Sequence, residues 1–312
     1  MVRNLDPPGT VFLIVTSRAL IASSLAACTI GGSACVVSVE HKGQIETVEK
    51  RFAVSSTVQL KLTTFDGAIE VRSWDRPEIL VQVEKRGQDK DALGKIEILT
   101  DQKADVVSVE ARTTRPGTSF GIGYFVSTSA KLIASVPRNT NLSIRTADGS
   151  VVVERVTGRA EIHTGDGSVR VTETAGELLA ETGDGSMQIE DVAGRVEART
   201  SDGSIRISGT PTALRARSGD GSIVLRVRDG AAMTEDWMLA TGDGSISVEL
   251  PDGFVAQIEA DPGSDGRVRN DLKLADMTGG TREKRILTGA LGLGGKRLTI
   301  RSTDGTIRLT NY

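Results

Sequence analysis

A short sequence word recurs along the middle of the chain at constant spacing, and this repeat limits the possible folds more than any other feature. The word has the form Thr/Ser-x-Asp-Gly-Ser, and its aspartates lie 18 residues apart at Asp148, Asp166, Asp184, Asp202 and Asp220. Asp243 follows after 23 residues, and Asp66 and Asp304 have similar surroundings at greater distances. Self-similarity at a fixed period of this length is typical of a solenoid.

Apolar and polar residues alternate on both sides of each aspartate. Around Asp184, for example, Leu178 and Ala180 precede the corner, and Met187 and Ile189 follow it. A period of two predicts two short strands per repeat, with the alternating apolar residues and the threonine pointing inward. A second corner has the form Val-x-Gly, as in residues 192–194. Each unit is therefore predicted to be strand, Asp-Gly corner, strand and Val-x-Gly corner, with no room for a helix.

Two all-β architectures are compatible with this pattern. Asp-Gly between alternating segments is a strong hairpin signal, which favours an antiparallel meander. A parallel β-helix would instead place each residue about 4.8 Å from its counterpart in the next coil, so that identical residues stack. A meander gains nothing from repeating one residue type in every second strand. We therefore predict a parallel β-solenoid with coils of about 18 residues, regular over about 141–250, and atypical end units that cap the stack.

The aspartate of the repeat has three interpretations. The preferred one is turn chemistry, in which the carboxylate accepts backbone N–H bonds and the next glycine adopts positive φ. On this interpretation Asp148, Asp166, Asp184, Asp202, Asp220 and Asp243 form a structural turn ladder. A calcium ladder is an alternative, although the calcium β-roll motif is missing. Catalysis is least favoured, because acid–base chemistry needs one or two placed groups and not a repeated one.

Composition excludes several other functions. A net charge of -3 gives no electrostatic case for binding nucleic acid. Two histidines and two cysteines cannot supply a His/Cys zinc site of the usual spacing. We therefore predict no catalytic residues, no cofactor and no metal, and hence no enzyme.

The amino terminus resembles a bacterial lipoprotein export signal. An apolar run ends in Leu-Ala-Ala-Cys at residues 25–28, with small residues before the cysteine. We predict a signal at 1–27, lipidation at Cys28, and a flexible tether at 28–45. Cys35 is a second candidate for lipidation, and translation starting near Val15 would give a more regular signal. The alternatives are an ordinary cleaved signal with a Cys28–Cys35 disulfide, or a buried helix.

Three segments carry a resemblance to a bacterial family of exported β-strand-repeat proteins known as putative adhesins, similar to auto-transporter adhesin head domains. They are LKLTTFDGAIEVRSWDR near the start, the T-x-D-G-S-I-x-V repeats, and LTGALGLGGKRLTIRSTDGTIRL at the end. The resemblance covers about 46–312, which we expect to form one elongated domain. It implies a right-handed parallel β-helix and an exported or membrane-attached location. It supplies no functional residues.

These observations favour a non-enzymatic cell-envelope solenoid with an adhesin-like binding or scaffolding face, because solenoids present long ordered surfaces. Its ligand would be an envelope or surface protein or polysaccharide, and its membrane attachment would be through the lipid anchor only. The alternatives are a polysaccharide-active β-helix enzyme of the lyase type, or an accessory protein in envelope stress or signalling.

Overall fold

The computed structural model describes residues 43–55, 57–114, 128–280 and 285–312. The predicted export signal, with Cys28 and Cys35, lies outside the described residues. Within the described ranges, no helix has the length and apolar character needed to cross a membrane.

Strands dominate the described part of the chain, and one short helix, α1, interrupts them. The first strands and α1 are β1 Gln44–Ala53, β2 Val58–Thr64, β3 Ile69–Trp74, β4 Glu78–Gly87, α1 Lys90–Gly94, β5 Ile96–Lys103, β6 Val106–Thr113 and β7 Ser129–Pro137. The middle strands are β8 Thr140–Thr146, β9 Val151–Glu154, β10 Thr157–Thr164, β11 Val169–Thr172, β12 Ala175–Thr182, β13 Met187–Thr200, β14 Ile205–Ser218, β15 Ile223–Val227, β16 Trp237–Thr241 and β17 Ile246–Leu250. The last are β18 Ala256–Asp261, β19 Arg267–Asn270, β20 Ala275–Thr278, β21 Leu287–Leu291, β22 Arg297–Ser302 and β23 Thr306–Asn311.

The repeats stack as parallel coils with the residues around successive Asp-Gly corners in register, which confirms the predicted solenoid and shows that the meander is wrong. Strand β10 pairs in parallel with β8 on one side and β12 on the other, so that Thr164 lies between Thr146 and Thr182. Strand β11 likewise pairs in parallel with β9 and β13. Equivalent residues of successive repeats therefore meet, as the identical residues at each position predicted.

The two outlying Asp-Gly words belong to the same stack. Strands β2 and β3, which flank Asp66, pair in parallel with β8 and β9. Strands β22 and β23, which flank Asp304, pair in parallel with β16 and β17. The ladder therefore has eight coils, beginning with Asp66 and ending with Asp304. Strands from the long segments between these words and the regular repeats extend the stack at its ends: β6 and β7 pair in parallel with β2 and β3, and β18 and β19 pair in parallel with β22 and β23.

The core lies inside the coils and is filled by the alternating residues. In the coil around Asp166, Ile162 before the corner is accompanied by Val169 after it, and both are buried. In the next coil Ala180 occupies the first position, and the larger Met187 occupies the second. A smaller residue on one strand thus accompanies a larger one on the other, which keeps the coil filled at native packing density.

The Asp-Gly corner is held by the hydroxyl two residues before the aspartate. Thr200, only 6% exposed, donates to the carbonyl of Gly185 in the preceding coil (3.1 Å) and accepts from the N–H of Gly203 in its own corner (3.1 Å). Equivalent donations from seven coils have lengths of 2.8–3.1 Å and come from Thr146, Thr164, Thr182, Thr200, Ser218, Thr241 and Ser302. The hydroxyl therefore caps its own turn and joins it to the coil before.

The glycine after each aspartate is required for a reason other than the predicted one. We expected positive φ there, but among the eight corners only Gly67, in the first coil, has it. A Cβ added at Gly185 would instead lie 2.0 Å from the carbonyl oxygen of Gly167 and 2.8 Å from the hydroxyl of Thr182. Stacked corners approach so closely that no side chain fits between them.

The second corner does use left-handed backbone. Arg155, Glu173 and Asp191 have φ of 58°, 53° and 55°, and each lies three residues before a glycine that also has positive φ. These positions repeat at 18 residues, as the Val-x-Gly words predicted. The second corner is therefore built by conformation, whereas the first is built by close approach.

Antiparallel strands cover both ends of the stack, as expected for atypical end units. At the first end, β4 pairs antiparallel with β1 and β7, and β5 pairs antiparallel with β6. At the other end, β21 pairs antiparallel with β18 and β20.

The close approach of the corners predicts a large cost for the smallest added side chain. We expect Gly185→Ala to lower the free energy of unfolding by about 3 kcal/mol or more, because the coil must move away from Gly167. Chemical denaturation of the purified protein measures this. Gly94→Ala in α1, where nothing lies within 4 Å of an added Cβ, is the control and should change it by about 1 kcal/mol or less. Equal effects of the two substitutions would contradict the account of the corner.

Candidate functional site

The repeated aspartates form an exposed file along one edge of the solenoid. The seven from Asp148 to Asp304 are exposed, and Asp66 is partly buried. In the described ranges, no hydrogen bond or ion pair engages any of the eight carboxylates. The prediction that these carboxylates cap the turn therefore fails, since the threonine or serine hydroxyl performs that function. The aspartates of the regular repeats are therefore exposed to solvent, which stabilises their charge in place of the turn.

The file also shows no compact metal centre. Among the described residues, no group of three or more His, Cys, Asp or Glu side chains is arranged to hold a metal ion. The ladder contributes one carboxylate per coil, with coils about 4.8 Å apart.

The pKa of Asp66, at the first end of the file, is shifted by burial and by a neighbouring charge. Burial of Asp66 is the larger effect, and repulsion from Asp148 in the next coil is the smaller; both raise the pKa of Asp66 above its ordinary value. The charged form of Asp66 is therefore disfavoured in the folded protein.

The outward face before the Asp-Gly corner is neutralised by ion pairs between coils. We call this the ionic face; it comprises the outward residues of β8, β10, β12 and the second half of β13. His163 on this face lies half-buried between two carboxylates. Its Nε2 is 2.9 Å from Glu161 Oε1, and its Nδ1 is 3.0 Å from Glu181 Oε2. The hydrogen bond from His163 is the main reason that the pKa of Glu161 is lowered.

Arginines on the ionic face are satisfied in the same way. Arg145 pairs with Glu161 at 3.3 Å, and Arg199 pairs with Glu181 at 3.1 Å. Surface pairs of this kind contribute little stability individually. They do occupy the charged groups, which leaves few of them available to a ligand.

The outward face after the corner contains a groove of about 540 Å³. We call it the arginine groove; Arg170, Gln188, Arg206 and Val224 line one side, and a row of corner serines that includes Ser186 lines the other. Arg170 and Arg206 are exposed. Arg170 bonds to Gln188 at 3.1 Å, and in the described part of the chain Arg206 makes no hydrogen bond or ion pair.

A second cavity of about 840 Å³ continues the arginine groove past Arg206 and Val224. Its other two arginines are occupied: Arg226 lies 3.5 Å from Glu249 and stacks on the Tyr312 ring at 4.8 Å, and Arg228 pairs with Asp191. Arg206 lines both cavities, so among the described residues the larger cavity adds no further unpaired arginine to the arginine groove.

The sequence analysis did not predict the arginine groove. The signal lay four residues after each aspartate, where the regular repeats carry a column without an acidic residue: Val152, Arg170, Gln188, Arg206, Val224 and Ser247. Only the parallel register turns that column into one continuous stripe. On an antiparallel meander the same residues would be separated.

The fold and the groove define a parallel β-solenoid that presents a stiff, arginine-lined outer face. The Toastrack DUF4097 family matches residues 52–310, and the chain belongs to that family. This match confirms the family resemblance predicted from the three sequence segments. No curated protein shows significant sequence similarity to the chain.

Several solved structures are similar to the chain at low sequence identity. A "putative adhesin" from Bacteroides fragilis is 14% identical with a TM-score of 0.41, and the alignment covers 85% of this chain and 97% of that one. A "putative lipid binding protein" from Parabacteroides distasonis is also 14% identical with a TM-score of 0.41, over 84% and 96%. A "putative cell adhesion protein" from Clostridium sporogenes is 13% identical with a TM-score of 0.32, over 87% and 100%.

Because the pKa of Asp66 is raised, removing its charge by substitution should stabilise the protein at neutral pH but not at low pH. The folded protein holds the Asp66 proton more tightly than the unfolded chain does, so wild-type stability falls as pH rises from the ordinary value of 3.8 through the higher folded pKa. We expect Asp66→Asn to raise the melting temperature by about 1–3 °C at pH 7. Below pH 3.8 the gain should disappear, because both side chains are then neutral.

The control for this measurement is Asp265→Asn, which removes one exposed carboxylate outside the file. It should change the melting temperature little at either pH. A gain for Asp66→Asn that persisted at low pH would show that its charge is not the cause.

Proposed function

We propose that the chain is a non-enzymatic protein of the bacterial cell envelope that acts as an adhesin-like binding or scaffolding surface. The observation that carries this proposal is the arginine groove, where exposed guanidinium groups without carboxylate partners lie along several stacked coils. A rigid stack holds such groups at fixed spacing, so a ligand meets an ordered surface with little loss of conformational entropy.

The proposed location follows from the amino-terminal sequence. Residues 25–28 have the form of a lipidation signal, and we propose that Cys28, or else Cys35, carries the lipid anchor. The tether at 28–45 would then hold the solenoid away from the membrane. Expression of wild-type, Cys28→Ser and Cys35→Ser chains in a bacterium tests this; loss of the membrane-bound fraction in neither variant would contradict the proposal.

The binding role can be tested with the full chain and purified envelope material. We expect the chain to co-sediment with cell-wall polysaccharide sacculi more strongly than a β-sheet protein of equal net charge does. The size distribution of soluble polysaccharide should remain unchanged after long incubation, because no catalytic group is proposed. Retention no greater than that of the comparison protein would contradict the binding role, and shortening of the polysaccharide would support the enzymatic alternative.

A further inference from the structure

We propose that the arginine groove binds a single extended chain of an acidic polysaccharide, whose carboxylates pair with Arg170 and Arg206. This inference rests on the proposed binding function and names the class of ligand. It is argued from the charge, spacing and hydroxyl content of the groove.

Unpaired charge separates this groove from the ionic face. On the ionic face Arg145 and Arg199 have glutamate partners. In the groove Arg170 has only the neutral Gln188, and Arg206 has no polar partner among the described residues. A guanidinium offers paired N–H donors in a plane that matches a carboxylate, so these two groups have the geometry to bind carboxylates of a ligand.

The column of arginines extends beyond the groove. In register after Val224 come Ser247, Arg308 and Arg269, which are paired through β17, β23 and β19. Arg308 and Arg269 are exposed and make no ion pair within the described ranges. From Val152 to Arg269 the column therefore holds four arginines and no acidic residue over eight coils, a length of about 34 Å.

The spacing of the arginines favours a linear ligand. Arg170 and Arg206 are separated by the coil that carries Gln188, so their Cα atoms lie about 10 Å apart along the stack. A compact anion would meet both only if the two side chains converged on it. A chain that runs along the stack and carries carboxylates at intervals can meet both.

The corner serines indicate that the ligand is rich in hydroxyl groups. Ser168, Ser186 and Ser204 line the groove and are exposed, one in each successive coil. Each hydroxyl can donate and accept a hydrogen bond, which suits the hydroxyl groups of a sugar chain. The described lining of the arginine groove contains no aromatic ring, so recognition here depends on charge and hydroxyl groups and not on stacking.

The aspartate file lies outside the groove. No ladder aspartate lines the groove, and the carboxylate of Asp148 is directed toward Gly165 of the next coil, which precedes its corner. Each aspartate lies in its corner, four residues before the arginine column, so the file and the column follow different lines along the stack.

Calorimetric titration of the full chain with an oligomer of eight galacturonic acid units tests the proposal. The double variant Arg170→Gln/Arg206→Gln should bind the oligomer at least about tenfold more weakly than wild type, since two charge-assisted contacts are lost. The matched control is Arg215→Gln/Arg217→Gln, which removes the same charge from exposed positions in the second half of β14, before the next corner. That control should change the affinity by less than about twofold, and added salt should weaken wild-type binding.

Several outcomes would overturn the inference. Equal losses of affinity in the two double variants would show that the oligomer is attracted by the net charge of the protein alone. Equal affinity for a neutral galactose oligomer would show that carboxylates are not recognised, and tighter binding of a glycerol phosphate polymer would assign the groove to phosphate. If the uronate oligomer does not bind while sacculi are still retained, the groove assignment fails and the proposed envelope-binding function stands. Unchanged thermal melting of both variants would confirm that they are folded.

Discussion

The buried hydroxyl before each Asp-Gly corner is the interaction on which the rest of the structure depends. It accepts from its own turn and donates to a glycine carbonyl of the coil before, so it fixes the corner and the register together. A carbonyl buried without that partner would cost about 1–3 kcal/mol. The glycines that follow the aspartates let successive corners approach this closely, because any Cβ there would collide with the preceding coil. Strand alternation, burial of the core and alignment of the outward columns all follow from this register.

Because the corner fixes the register, the residues that hold the stack together and the residues that can bind a ligand occupy different positions in each coil. Inward residues and corner residues are constrained by packing, whereas outward residues differ from coil to coil without affecting the stack. On the ionic face these residues compensate one another, as His163 does between Glu161 and Glu181. On the face after the corner they leave Arg170 and Arg206 available. The difference between the two faces is why the proposed ligand is placed in the arginine groove and not on the aspartate file.

Much of the fold could be predicted from the sequence, because every coil of a stack needs the same types of residue at equivalent positions. The 18-residue period gave the coil length, and identical residues at equivalent positions correctly favoured parallel over antiparallel pairing. The role of Asp184 was not predictable in the same way, because an aspartate beside glycine is equally compatible with a carboxylate cap and with an exposed position. The sequence also did not reveal that Gly185 is required by contact with another coil. The contact between His163 and Glu181 was not predictable either, because the two residues lie a full coil apart.

Replacing a single central hydroxyl tests the account most directly. Thr200→Val keeps the shape of the side chain and removes the hydroxyl, leaving the Gly185 carbonyl and the Gly203 N–H without their partner. Thr172→Val, at an outward and partly exposed position of β11, is the matched control. The account predicts that Thr200→Val lowers the free energy of unfolding by about 1–3 kcal/mol and that Thr172→Val changes it by less than about 0.5 kcal/mol. A loss for Thr200→Val no larger than that of the control would contradict the claim that the hydroxyl ladder holds the coils together.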